Sequence, residues 1–256
     1  MIHTSMDGHA AAFRSTGFLQ IEDFIDQAHC DRLLQTIDAC RRASPATEIN
    51  RPAHPVPLRY WVIDGHRIQH ELTEIWSLYK GEVLDFAVGL SDVSLAPLEN
   101  RRVGANINIM PPARSSYRWH YDRCLVTAIL YLNDVVGGQI EMYPNLRLLL
   151  RPGMPGALQR ILDSLYQSPP VRRRLSSRIT VQPRAGRLLV MLGNRCWHSV
   201  RPVEGRDERI NLVFAYDRPN TMFSVDGELD RYLYSQQDVL ASDPNYVKLR
   251  VEPAQS

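Results

Sequence analysis

Apolar and polar positions change rhythm along the chain. Gly17-Phe18-Leu19-Gln20-Ile21 alternates over a short stretch, as a strand does. Asp26 then stands ahead of apolar residues at Ala28, Leu33, Leu34 and Ile37, a capped helix by its spacing. Pro52, Pro55 and Pro57 break the chain after it. From Leu72 to Val88 the apolar positions (Leu72, Ile75, Trp76, Leu78, Tyr79, Val83, Leu84) return to helical spacing and predict a helix packed on the back of a sheet.

From Val103 the pattern becomes that of strands. Asn106-Ile107-Asn108-Ile109-Met110 alternates and stops at Pro111-Pro112, and His120 is expected at the start of the next strand. Leu125 to Leu132 is nearly all apolar, and Gly137-Gly138 turns the chain into Gln139-Ile140-Glu141-Met142-Tyr143. Ile179 to Val181, Arg187 to Leu192, Cys196 to Val200 and Arg209 to Tyr216 read as further strands, punctuated by Gly186, Gly193 and Gly205. Many short strands with glycine turns suggest a sandwich or jelly roll. Between Pro144 and Arg178 this pattern lapses. Leu158, Ile161, Leu162 and Leu165 have helical spacing, and the segment reads as an insertion over the barrel mouth.

Composition narrows the class. A chain of 256 residues can bury one sizeable core, and 44% hydrophobic with 23% charged residues is globular. The net charge of +2 points neither towards nor away from nucleic acid. The basic field lacks the size and interleaved aromatics of a nucleic-acid binder, so none is expected. No run of about 18 apolar residues suggests a membrane span, and no apolar signal core follows Met1. Cys30 and Cys40 lie ten residues apart on one expected helix. That is roughly 15 Å at the helical rise, too far for a disulfide. Reduced thiols fit a cytoplasmic protein.

The candidate chemistry lies in Tyr117-Arg118-Trp119-His120-Tyr121-Asp122 and in Trp197-His198-Ser199-Val200. Alternate residues of a strand face one side, so His120 and Asp122 are expected to point together, and a neighbouring strand could bring His198 to them. Two histidines and one carboxylate on one face of a metal leave the other face open, which suits non-haem Fe(II) and oxygen chemistry. Arg209 follows His198 by eleven residues. Its strand alternates Arg209, Asn211, Val213 and Ala215 against Ile210, Leu212, Phe214 and Tyr216. The second set is apolar enough for helices to cover it, and the first would line the interior. A guanidinium buried there expects an anion, either an organic cosubstrate or a structural carboxylate.

These residues resemble the Fe(II)/2-oxoglutarate-dependent oxygenase superfamily, nearest its prolyl-hydroxylase and phytanoyl-hydroxylase branches. The resemblance runs over about residues 100–217. It rests on His120-x-Asp122, Leu130-Tyr131-Leu132-Asn133, Gly137-Gly138-Gln139-Ile140, Pro183-x-Ala185-Gly186-Arg187-Leu188 and the His198…Arg209 pair. It implies a mainly β fold with flanking helices, a double-stranded β-helix (jelly-roll, cupin-like) core. The whole chain, 1–256, would be a single oxygenase domain with a helical insertion at about 145–178. It implies iron on His120, Asp122 and His198, and 2-oxoglutarate with its far carboxylate on Arg209 and Tyr131. It also implies an enzyme that uses O2 to oxidise an unactivated C–H bond. The insertion could lid a small pocket, so the expected substrate is a small molecule such as an amino acid or natural-product intermediate. A residue in a protein or peptide is the other substrate class, and a non-catalytic metal- or ligand-binding protein of the same fold is a further reading. Relatives that halogenate replace the carboxylate with a small residue, and Asp122 argues against that reaction.

Other residues keep two readings. Asn106 and Asn108 share one face, where they could contact the oxo acid or substrate, or simply bond backbone. Cys124 and Cys196 could be small buried residues or, on regular strands, thiols facing the metal and candidate zinc ligands. Arg172, Arg173, Arg174 and Arg178 could bind an acidic group or form a solvated helix end. Trp119 and Trp197, of opposite parity to the histidines, are expected to pack. The remaining histidines (His3, His9, His29, His54, His66, His70) fall outside the strand pattern and read as surface or loop.

Overall fold

In the computed structural model, residues 6–51, 58–98, 101–112, 116–150 and 156–221 are described. Pro52, Pro55 and Pro57, with His3 and His54, lie outside them. The chain opens with helix α1 (Met6–Thr16), strand β1 (Phe18–Ile21), α2 (Gln27–Ala43) and the strands β2 (Thr47–Arg51) and β3 (Leu58–Asp64). Helices α3 (Gly65–Glu71), α4 (Thr73–Lys80) and α5 (Glu82–Leu90) follow, then β4 (Ala96–Pro97) and the short α6 (Arg101–Gly104). The remaining strands are β5 (Ala105–Met110), β6 (Tyr117–His120), β7 (Val126–Tyr131), β8 (Ile140–Tyr143), β9 (Ile179–Val181), β10 (Leu188–Met191), β11 (Trp197–Val200) and β12 (Arg209–Asp217). Helices α7 (Gly156–Gln167) and α8 (Pro169–Leu175) lie between β8 and β9.

The strands form two antiparallel sheets. The major sheet runs β1-β10-β7-β12-β5-β3-β2 with β4 beside β12, and the minor sheet runs β6-β11-β8-β9. This mainly β architecture with flanking helices is the jelly-roll core expected from the strand pattern.

Strand parity sorts the core into two layers. Ile210, Leu212, Phe214 and Tyr216 of β12 pack with Ile107, Ile109, Ala128 and Leu130 against Leu33, Ile37, Ile75, Tyr79 and Val83 of the helices. The opposite face of the same strands sends Ile129 and Tyr131 inward to meet Ile140 and Met142 of the minor sheet. The alternation read in β12 therefore separates a helix-covered back from an interior.

Local chemistry explains the element boundaries. The Asp26 carboxylate accepts the His29 backbone N–H at 2.7 Å and starts α2. The expected helix from Leu72 to Val88 is instead two helices, α4 and α5, broken at Gly81, whose φ of −116° and ψ of −105° no helix tolerates. The β2–β3 pair was not legible, because its five- and seven-residue runs flank the proline-rich stretch. No helix among the described residues is long and apolar enough to cross a membrane.

Candidate active site

His120 ends β6, His198 lies in β11, and the two are cross-strand partners in the minor sheet. Their rings sit 4.2 Å apart between centroids. Asp122 is brought to them by a different device from the one expected. β6 stops at His120, so strand alternation does not orient Asp122. Its backbone N–H instead donates to the Gly193 carbonyl at 3.0 Å, and its Oδ2 accepts the Thr127 hydroxyl at 2.6 Å. Oδ1 is left 3.4 Å from His120 Nε2 and 3.7 Å from His198 Nε2. One potential ligand atom from each residue lies within 4.8 Å of the others, so the trio could hold a metal ion.

Both imidazoles are set for that task. His120 Nδ1 meets the Arg118 carbonyl at 2.8 Å, and His198 Nδ1 meets the Cys196 carbonyl at 3.0 Å. A carbonyl can only accept, so each Nδ1 carries the proton and each Nε2 lone pair faces the shared centre. Burial, helped by His120, brings the His198 pKa down to about 4, with Asp122 opposing, and the ring is neutral near pH 7. Burial works to raise the Asp122 carboxyl. His198, His120 and the Thr127 hydroxyl outweigh it and hold the group below the usual carboxylate range.

Arg209, the residue expected to anchor an anion, is 2% exposed and lies on the inner face of the major sheet. Its NH1 donates to Asn211 Oδ1 at 2.5 Å and touches Met110 Sδ at 3.2 Å. Its guanidinium carbon stands 5.1 Å from the centroid of the Tyr131 ring. Arg209 Nε and the Tyr131 hydroxyl are both buried without a hydrogen-bond partner. No carboxylate among the described residues pairs with this guanidinium. Burial pulls the Arg209 pKa down, against the Tyr131 interaction, and pushes the Tyr131 hydroxyl up, against the Arg209 charge. A cation without its anion, beside a neutral hydroxyl without an acceptor, suits a carboxylate ligand. Among the described residues, no structural carboxylate fills that role for Arg209.

Asn211, Tyr131 and Asn108 are in register across β12, β7 and β5, which puts them on one face. Asn106 shares that parity, and its amide donates to the Val103 carbonyl at 3.2 Å, so backbone bonding occupies part of it. Asn108 is only half-buried.

The cysteines depart from the parity expectation. The Cys124 thiol lies 3.1 Å from the Thr127 hydroxyl, and the Cys196 thiol donates to the Gly17 carbonyl at 3.4 Å. Neither joins the cluster of ligand atoms. Burial pushes both thiols up, Cys196 to about 12, so they stay protonated and make poor zinc ligands.

The insertion also departs. Trp197 and Tyr143 are cross-strand partners whose side chains point away from His198 and Met142, onto the outer face of the minor sheet. There they pack with Leu146, Trp119, Tyr121 and Tyr166. Trp119 and Trp197 thus pack as expected. Arg172 of α8 lies over the Trp197 and Tyr143 rings at 5.1 and 5.3 Å. Arg147 grips Asp163 of α7 through two hydrogen bonds of 2.9 and 2.6 Å. The described part of the insertion therefore covers the back of the minor sheet, not the barrel mouth. Leu158, Ile161 and Leu165 of α7 face solvent. Arg178 lies 3.7 Å from Glu141 on that outer face, and Arg173 and Arg174 are exposed, so the arginine cluster is not at the candidate site.

Several contributors were missed. Thr127 and Gly193 frame Asp122, and Gly138 makes room for Arg209. Tyr117 lies 4.7 Å from the His120 ring because a register shift in the β6–β11 pairing breaks regular alternation. Gly138 had a visible signal, the Gly137-Gly138 pair. The others did not.

A family model described as the 2OG-Fe(II) oxygenase superfamily matches residues 105–216, the stretch that carries every one of these groups. Over these residues the chain matches this superfamily. Iron(II) and 2-oxoglutarate are the family's metal and cosubstrate, and the donor set and the unpaired guanidinium fit them. No curated protein sequence matches. Among solved structures, the chain is similar to the non-heme alpha-ketoglutarate-dependent epimerase SnoN from nogalamycin biosynthesis. The TM-score is 0.63 at 16% identity, over 83% of each chain. It is also similar to the carbocyclase SnoK of the same biosynthesis, with TM-score 0.63 and 17% identity over 90% and 91% of the two chains. A prolyl hydroxylase from Trichoplax adhaerens, in complex with a hypoxia-inducible-factor peptide, gives TM-score 0.55 and 16% identity over 90% and 93%. These likenesses place the fold.

Proposed function

We propose that this oxygenase oxidises an unactivated C–H bond of a small molecule, such as an amino acid or natural-product intermediate, by hydroxylation or a related oxidation. His120, Asp122 and His198 hold the iron. Arg209 and Tyr131 take the far carboxylate of 2-oxoglutarate, with Asn211 orienting Arg209 and Asn108 and Asn106 on the same inner face. The observation that carries this reading is the buried Arg209 with no anion among the described residues to pair it. Iron, when bound, supplies the redox chemistry that couples O2 reduction to oxidative decarboxylation of 2-oxoglutarate, giving succinate and carbon dioxide while one oxygen atom goes to substrate. The protein's own work is to bind, to orient and to exclude water.

The small-molecule class is supported by the natural-product enzymes among the structures it resembles. Hydroxylation of a protein or peptide residue is the second reading, and the peptide-bound prolyl hydroxylase among them favours it. We also read the whole chain as one oxygenase domain, because its N-terminal helices cover the back of the sheet that carries Arg209. A cytoplasmic setting, without nucleic-acid or membrane partners, is consistent with four free thiols.

Succinate release tests the reading. It should require both Fe(II) and 2-oxoglutarate and vanish in His120→Ala. Succinate production that survives this substitution contradicts the assignment. Metal binding without turnover on any small molecule or peptide favours a non-catalytic binding protein.

A further inference from the structure

We propose that Thr127 is a positioning residue that makes Asp122 a one-oxygen ligand. The inference rests on the reading of His120, Asp122 and His198 as the iron site.

A carboxylate turns about a broad, nearly two-fold terminal torsion, so Asp122 by itself could offer either oxygen or both. Three contacts remove that freedom. The Thr127 hydroxyl donates to Oδ2 at 2.6 Å. The Asp122 backbone N–H is tied to the Gly193 carbonyl at 3.0 Å. Gly193 fits so closely that a Cβ there would lie 2.6 Å from Thr127 Oγ1 and 2.9 Å from Asp122 Cβ.

The direction of the Thr127 proton follows from its surroundings. Thr127 is 2% exposed on β7, and its oxygen has two short polar neighbours, Asp122 Oδ2 and Cys124 Sγ at 3.1 Å. The carboxylate can only accept. The hydroxyl proton therefore goes to Oδ2, and the Cys124 S–H donates into Thr127 Oγ1. This relay, Cys124 to Thr127 to Asp122, engages Oδ2 and turns Oδ1 towards both histidine Nε2 atoms.

The consequence is an available coordination position. Two imidazoles and one carboxylate oxygen leave three of about six positions, enough for a two-point oxo acid and O2. A carboxylate bound through both oxygens would leave one fewer. Thr127 therefore bears on cosubstrate binding through Asp122, without touching the metal.

Cobalt(II) titration of the full-length chain, read by its visible absorbance before and after 2-oxoglutarate is added, tests this. Thr127→Val keeps the shape and removes the hydroxyl. It should weaken cobalt binding by about tenfold or more, the range seen when outer-shell partners are lost. It should also shift the cobalt spectrum and weaken the response to 2-oxoglutarate, whereas Thr127→Ser restores all three. A merely structural role would lower the melting temperature without moving the spectrum. Thr127→Ala carries the test if valine prevents folding. Wild-type affinity and spectrum in the folded Val or Ala variant overturn the proposal. If the wild-type chain binds no cobalt, or Asp122→Ala binds it like wild type, the metal site itself is wrong and the proposal falls with it.

Discussion

Gly138 lies against Arg209: a Cβ on Gly138 would stand 2.7 Å from Arg209 Cδ. Gly138 also has a φ of +64°, in the left-handed region that favours glycine. Arg209 thus reaches its buried position through space that only glycine leaves open. Gly138→Ala should lower stability by about 1–3 kcal/mol and raise the KM for 2-oxoglutarate, with little change in metal affinity. Thermal melts and steady-state kinetics check both, and an unchanged KM would separate Arg209 from the cosubstrate.

Arg209 itself should be irreplaceable by lysine. The planar fork pairs two oxygens where an ammonium offers a point charge. Arg209→Lys should raise the 2-oxoglutarate KM by roughly tenfold or more, since hydrogen bonds to charged groups contribute about 1.5–3 kcal/mol. Metal binding, measured by titration, should stay at the wild-type level.

Much of this arrangement was legible in the sequence, and the gaps have physical causes. Alternation in Arg209 to Tyr216 separated interior from helix-covered back, because a strand between two packed layers must show period two. His120 and His198 were legible because each lies within a strand. Asp122 lies beside the two histidines, as expected, but strand alternation does not put it there. It sits beyond β6 and is held by Thr127 and Gly193, contacts of tertiary origin that no local pattern encodes. Tyr117 was hidden by the register shift in its strand pairing. The insertion was misplaced because helical spacing identifies an amphipathic helix without saying which sheet face it meets.

The corrected insertion makes its own prediction. Arg147 lies over the Tyr121 ring at 4.7 Å and grips Asp163, joining α7 to the back of the minor sheet. Arg147→Ala should speed proteolytic cleavage around residues 146–178 while leaving affinity for metal and 2-oxoglutarate intact. A large loss of either affinity would return the insertion to the mouth of the site.

Acid stability should depend in part on Glu22. Its carboxylate accepts from Arg187 at 2.9 and 3.1 Å and links the turn after β1 to the start of β10. Burial raises the Glu22 pKa, but Arg187, Gln20 and Arg184 outweigh it and bring the group below its ordinary 4.5. A carboxyl depressed in the folded state stabilises the fold above its unfolded value, and the benefit is lost as pH falls through the folded value. Urea melts should therefore show wild type more stable than Glu22→Gln at pH 7, with the gap closing as pH drops below 4.5. Glu22 is 42% exposed, so solvent screening keeps the gap small, within about 1 kcal/mol. A gap that widens in acid would reverse the sign.

Anaerobic addition of Fe(II) and then 2-oxoglutarate, followed by visible absorbance, tests the central claim most directly. A metal-to-ligand charge-transfer band should develop only when both are present. It should be absent in His198→Ala, and in Arg209→Lys it should need a higher 2-oxoglutarate concentration. A wild-type protein that binds iron and gives no band at saturating 2-oxoglutarate would contradict the pairing of this metal site with this anchor.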